Sequence, residues 1–414
     1  MTDAPILSTP VGIFRRVAHN SGLFIISNVL NAALTFALSV VVARGLGQAG
    51  FGVWTFSLAW ASLLTVLSEL GLNTLITREA ARVNEQANTL LWGSLILKAM
   101  LALFMSGVIW LLPQAESDWA ALFGWVVLLA VTGTAYGSFS ALFRAFQWIT
   151  PWVWLNVGGL VLQVLGSAWV IWAQDADSVL PLLWVANAVQ AMQLILAFAV
   201  WWLWLRPRGG MVRLAWVEIY QLLKRALPFA VAGVFVTLQA RSGPLALGYM
   251  RGAVEVGWWG AAWRFSEAAK LVPQGVFGAA FPAFAAGEGT SLRRLYQRGL
   301  FVFALLAALV LILFARPLLT WTYGPEFAPA VVPLLWLGVG LIPALVNTGM
   351  DVYLYAVGDE AFVLKWSAVG LAVQCLMSLP LAWAFGASGV ALAIGLGEAV
   401  IWWPLHQRMQ HHNL

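Results

Sequence analysis

Polar positions along this chain are sparse, and they punctuate long apolar runs instead of alternating with apolar residues. The first run extends from Leu23 to Ala43 and the second from Phe51 to Ile76. Others follow at about 90–112, 118–143, 151–173 and 179–205, then near 226–249, 256–285, 296–322, 328–356, 362–385 and 387–405. Each approaches or exceeds the ~20 predominantly apolar residues that a helix needs to cross a bilayer. The pattern predicts an all-α integral membrane protein with about twelve transmembrane helices.

The interruptions predict how those helices are grouped. Gly45, Gly47, Gly50 and Gly52 between the first two runs predict a tight turn, because glycine tolerates positive φ. A basic stretch from Arg206 to Arg225, with Pro207, Gly209, Gly210 and Lys224, divides the runs six and six. The expected organisation is an N-terminal six-helix bundle over 1–205, a basic cytoplasmic link over 206–225 and a C-terminal six-helix bundle over 226–414. The halves also repeat: Gly47-x4-Gly52-x-Trp54 recurs as Gly252-x4-Gly257-x-Trp259. Ala145, Gly159, Leu160 and Gln163 likewise match Ala356, Gly370, Leu371 and Gln374. Two halves of equal orientation make parallel repeats, whose sites lie between the halves.

Composition removes the soluble alternatives. Charged residues are 9% of the chain and AVILMFWYC 62%, where soluble proteins carry ~25% charge. The net charge of +5 belongs to loops, not to a nucleic-acid surface. With both termini cytoplasmic, that side receives Arg15, Arg16, Arg78, Arg82, Lys98, Arg144, the cations of the link, Arg293, Arg294, Arg298, Lys365 and Arg408. The outer side receives Arg44, Arg251 and Arg316. The first apolar run is too long for a signal-peptide core and reads as the first span. Cys375 has no second cysteine to pair with, and the four histidines lie in the tails. No Cys/His metal-ligand spacing, phosphate loop or Ser-His-Asp set appears.

Candidate chemistry rests on charges inside the spans, each of which costs ~2.5–3.5 kcal/mol at mid-bilayer. Arg264, Glu267 and Lys270 share one helical face at three-residue spacing, and Arg241 lies in the preceding span. They either neutralise one another or line a cleft that receives an anionic head group, for which the planar guanidinium fork suits phosphate. Glu398 is a possible intramembrane carboxyl with no partner legible in sequence. Arg44, Arg78 and Glu79 are candidates for gating or an interface, with anchoring at the membrane surface as the plainer alternative. Asp175-x-Asp177 has the spacing of a sugar-nucleotide metal motif but lies in a short outer loop, where Asp177 or Ser178 is a natural N-cap. Many of the tryptophans fall at predicted span ends, as in interfacial belts. Trp258, Trp259 and Trp263 instead lie where they could face a cleft.

One stretch carries a family resemblance. Ala43-Arg44-x-Leu46-Gly47-x3-Phe51-Gly52, then Ser68-Glu69-Leu70-Gly71-Leu72-Asn73 and Arg78-Glu79, resembles the start of bacterial polysaccharide-biosynthesis flippases. Those are oligosaccharide-lipid translocases of the multidrug/oligosaccharidyl-lipid/polysaccharide exporter superfamily. The resemblance implies alternating access by two bundles in the bacterial cytoplasmic membrane, without a cofactor. It implies a polyprenyl-diphosphate-linked oligosaccharide as substrate, with membrane lipids and other polysaccharide-assembly proteins as partners and no nucleic acid. Many relatives carry an Asp in the seventh span where this chain reads Ala240-Arg241-Ser242-Gly243, so an ion-coupling acid is not implied there. The alternatives are a small-molecule exporter of the same superfamily and a membrane glycosyltransferase or polymerase. The short outer loops and absent catalytic sets argue against an enzyme.

Overall fold

The computed structural model describes residues 10–82, 87–110, 117–205, 216–285 and 290–411. The apolar runs become helices, and no strand occurs among the described residues. In chain order they are α1 (Pro10–Glu69), α2 (Leu72–Ala80), α3 (Ala87–Trp110), α4 (Ser117–Ala145), α5 (Ile149–Ala173) and α6 (Leu180–Val200). Next come α7 (Trp216–Met250), α8 (Ala253–Ala285), α9 (Thr290–Leu313), α10 (Ala315–Thr322), α11 (Val331–Ala356) and α12 (Glu360–His411). Among the described residues eight of them are long and apolar enough to cross a membrane, or nine when bent α7 is counted. The chain is a multi-pass membrane protein.

Helices α1 and α12 are each two rods joined without a loop. Gly47 (φ 67°) breaks α1 and Gly386 (φ 58°) breaks α12, so each holds two of the predicted runs. Of the four turn glycines only Gly47 takes positive φ; Gly45, Gly50 and Gly52 stay helical. Three other expectations shift. The second run stops at Glu69, where Leu70 (φ 41°) and Gly71 (φ 72°) turn the chain into α2. The 296–322 run is two helices, joined at Phe314. The cap position of α6 is Val179 without a side-chain hydrogen bond, so neither Asp177 nor Ser178 caps it. Residues 206–215 of the expected link lie outside the described residues, and its remainder is already helical in α7.

The breaks repeat as the sequence does. Gly47 and Gly252, both at positive φ, are 205 residues apart (252 − 47), the spacing of the glycine motif. Gln147 and Gly358, then Asp175 and Gly386, are pairs of positive-φ residues 211 apart (358 − 147, 386 − 175), the spacing of the second set of matches. The motif glycines also meet each other. A Cβ on Gly52 would overlap the Ala253 carbonyl, and one on Gly257 would overlap the Gln48 carbonyl. Only glycine lets the two rods approach this closely. Trp54 and Trp259, the motif tryptophans, are both buried beside this crossing.

Core packing distinguishes the two ends. At the end carrying Arg44 and Arg251, one core spans both halves and includes Phe51, Trp54, Trp259, Tyr323, Phe327 and Leu334. Toward the end carrying Arg78 and Arg408 there are two separate cores. One joins α2, α3 and α4 to Ile219, Leu222 and Ala226 of α7, and the other joins α11 to both rods of α12. α7 bends by 49° between Ile219–Val231 and Gly233–Met250, just beyond Pro228, so its first turns lie on the first half.

Candidate functional site

The Arg44 end is sealed by an aromatic cluster. Phe36 and Phe51 of the first half meet Phe265, Tyr323 and Phe327 of the second, with ring centroids 5.4–6.1 Å apart. The Tyr323 hydroxyl is 3.0 Å from Ser39 Oγ, a buried polar contact between the halves. Arg44 Nε donates to the Thr322 carbonyl at 2.7 Å and its Nη2 to the Trp321 carbonyl. That places a cation on the C-terminal carbonyls of α10, where the helix dipole favours it. Arg251 does the same for Ala382 and Ala384, before the break in α12. Glu255 Oε2 accepts from Ala387 N at 2.8 Å and so covers the start of the next rod. Arg44 thus links α1 to the end of α10.

Below the seal, the second half encloses a cavity of about 430 Å³ between α7, α8, α11 and α12. Gln239, Trp263, Glu267, Lys270, Thr348 and Glu398 contribute to its wall. Lys270 Nζ donates to Glu267 Oε1 at 3.3 Å and lies 4.9 Å over the Trp263 ring. Glu398, expected to lie alone, is held by Asn347 Nδ2 at 2.9 Å and faces Gln239 at 3.5 Å. The predicted triplet therefore divides: Glu267 and Lys270 pair in the cavity wall, and Arg264 remains outside that pair. Arg264 and Arg241 lie within electrostatic reach of each other and of Glu267, and Arg264 also of Tyr323. Neither guanidinium has a hydrogen bond or ion pair among the described residues, and both residues are half-buried. Of the cleft-facing tryptophans, Trp263 lines the cavity, Trp259 is buried and stacked on it, and Trp258 donates to Gln48 Oε1 at 2.7 Å.

Glu79 and Lys98 take different places from those expected at the Arg78 end. Glu79 is buried and accepts from Arg225 and, at 3.4 Å, from Arg78, so it ties α2 to α7 instead of anchoring in water. Arg78 also lies 5.0 Å over the Phe229 ring. Gly71 permits this contact, since a Cβ there would lie 2.7 Å from the Ala226 carbonyl oxygen. Lys98, expected among the cytoplasmic cations, is buried in α3. It donates to Asn73 Oδ1 at 2.6 Å, Ser138 Oγ at 2.8 Å and the Thr134 carbonyl at 3.1 Å.

Two features escaped sequence reasoning. Asp351 lies within electrostatic reach of Glu398, and its Oδ1 is buried without a hydrogen bond. With Asn347, Gln374 and Glu398 it lines a space of about 160 Å³. Its signal was available, because Asn347 and Asp351 are one helical turn apart in an apolar run and a carboxyl there is costly. The second is a cavity of about 660 Å³ in the first half, lined by a mixture of uncharged polar and apolar residues, mostly of α1, α4, α5 and α6. No single strong residue marks it in sequence. Among the described residues no group of three or more His, Cys, Asp or Glu side chains converges to hold a metal ion.

The pattern for polysaccharide biosynthesis proteins matches residues 17–288. The chain belongs to this family. Its fold is shared with the lipid II flippase MurJ in an inward closed conformation (TM-score 0.74, 12% identity, covering 94% of this chain and 87% of that one). It is shared too with an inward-facing multidrug resistance MATE family transporter of the MOP superfamily (TM-score 0.65, 16% identity, 92% and 95%). A variant of the Vibrio cholerae MATE transporter VcmN aligns similarly (TM-score 0.65, 18% identity, 96% and 97%). No curated protein matches the sequence significantly. The solved structures that share the fold are a lipid II flippase and multidrug resistance transporters.

Proposed function

We propose that this family member moves a polyprenyl-diphosphate-linked oligosaccharide between the leaflets of the bacterial inner membrane, for cell-surface polysaccharide assembly. Splitting α1 at Gly47 and α12 at Gly386, with α10 continuing α9, yields twelve spans with both termini cytoplasmic. On that topology the Arg44 end is outer, and the sealed state described here is outward-closed. The bundles rock so that the cleft is exposed first to the cytoplasm and then to the exterior, while the lipid tail stays in the bilayer.

The observation that carries this reading is the pair Arg241 and Arg264, two guanidiniums inside predicted spans that make no hydrogen bond or ion pair among the described residues. An unpaired charge held away from water is costly, and a dianionic head group would offset that cost at both arginines. Arginine can present two parallel donors to one phosphate. A small organic cation would instead meet these two positive charges unfavourably.

The test is binding of polyprenyl diphosphate to the full chain in nanodiscs, with export and membrane abundance measured in cells. Arg264→Ala and Arg241→Ala should each weaken binding roughly ten- to a hundredfold, the loss of a charge-assisted hydrogen bond of ~1.5–3 kcal/mol. Arg264→Lys should retain part of the affinity, and Arg264→Glu should bind worse than Arg264→Ala. An Arg241→Glu, Arg264→Glu double variant that exports normally at native abundance would refute the reading.

A further inference from the structure

The first-half cavity has no role in the scheme above, and its chemistry differs from that of the charged second half. Its wall contains five amides, Asn31, Asn156, Gln163, Gln190 and Gln193, and among the described residues one carboxylate, Glu69. Three of the amides are engaged: Asn31 Nδ2 on Ser27, Asn156 Nδ2 on the Trp152 carbonyl and Gln193 Nε2 on the Leu155 carbonyl. Gln163 and Gln190 make no hydrogen bond among the described residues. Both side chains are half-buried in the cavity wall, with polar atoms open to whatever fills it. We propose that this cavity binds the uncharged sugar units of the substrate, with Gln163 and Gln190 hydrogen-bonding their hydroxyl groups.

Each amide offers both donors and acceptors, as a sugar hydroxyl does, so one side chain can serve either role of a hydroxyl. The volume of about 660 Å³ lies within the ~300–1,000 Å³ usual for small-molecule sites. Apolar wall residues such as Leu129, Leu160 and Val189 suit the C–H faces of a sugar ring. The position agrees with a head group at the arginines. Thr237 of α7 is the second-half residue in this wall, and Arg241 lies four residues further along the same helix. Residues so spaced are neighbours on one helix face, ~6 Å apart. A glycan in the cavity and a diphosphate at Arg241 would then be contiguous parts of one molecule. The inference rests on the proposed lipid-linked substrate and adds where its sugars are recognised.

The experiment compares two probes on the full chain in nanodiscs: bare polyprenyl diphosphate, and the polyprenyl-linked oligosaccharide pool purified from the producing cells. The native chain should bind the glycosylated lipid more tightly than the bare lipid. Gln163→Leu and Gln190→Leu should each reduce that preference roughly two- to tenfold while leaving bare-lipid affinity unchanged. A folding defect would lower both affinities together, so their ratio is the readout. Gln163→Asn, which keeps an amide, should retain most of the preference. Equal binding of both probes by the native chain, or an unchanged ratio in both leucine variants, would overturn the proposal and leave a merely hydrated cavity. Failure of the head-group reading is separately visible, as bare-lipid affinity that ignores Arg241→Ala and Arg264→Ala.

Discussion

The crossing of Gly52 and Gly257 offers the sharpest quantitative test of how the halves close. A methyl group at position 52 would sit 1.7 Å from the Ala253 carbonyl oxygen, 2.5 Å from its carbonyl carbon and 3.0 Å from Gly257 N, all of it backbone. A carbon and an oxygen in contact normally lie ~3.3–3.6 Å apart, so the rods must part by roughly 1.5 Å. That movement would stretch the Trp258 Nε1 to Gln48 Oε1 bond from 2.7 Å to about 4 Å, beyond hydrogen-bond range. Overpacking of this kind costs ~1–3 kcal/mol, a factor of roughly five to 150 against the closed arrangement. Gly52→Ala should therefore shift the population toward an outward-open state. The assay places a cysteine at Ser39, buried in the seal, on a Cys375→Ala background and measures its labelling by an impermeant thiol reagent from outside. Labelling should accelerate with Gly52→Ala and with Gly257→Ala. Gly158→Ala, where a Cβ meets nothing within 4 Å, should leave it unchanged. Equal labelling rates in all four backgrounds, at equal abundance, would refute the crossing as the point of closure.

Three other outcomes follow from the same contacts. Arg44→Ala removes two bonds to the end of α10 and should speed Ser39→Cys labelling, but less than Gly52→Ala does, because no backbone is displaced. Glu79→Ala should lower the thermal midpoint by the equivalent of about 1 kcal/mol, given that Arg225 is half exposed, and a Glu79→Arg, Arg225→Glu exchange should recover part of it. Asn347→Leu leaves the Glu398 side chain without its closer partner and should destabilise the protein by ~1–3 kcal/mol. Asn347→Leu with Glu398→Met should be milder than Asn347→Leu alone, because a polar group without a partner costs more than an apolar pair. A double variant worse than the single would count against that bond.

By itself the sequence determined the class of protein, the positions of most helices and the existence of a repeat. Apolar runs of bilayer length have one stable outcome in lipid, since a helix satisfies its backbone within the segment. The paired glycine motifs were legible because a close crossing admits no other residue. Tertiary structure decided everything that depends on partners from distant segments. It joined runs without loops at Gly47 and Gly386, separated α2 at Gly71, and buried Lys98 and Glu79, which local pattern had placed at the water interface. It divided Arg264 from Glu267 and Lys270, though all three lie on one helix, because the cavity wall is set by α7, α11 and α12 as well as α8. It also gathered five unremarkable amides from α1, α5 and α6 into one space. An amide carries no large solvation signal when read singly. Its meaning arises from what faces it, and that is fixed only when the helices pack.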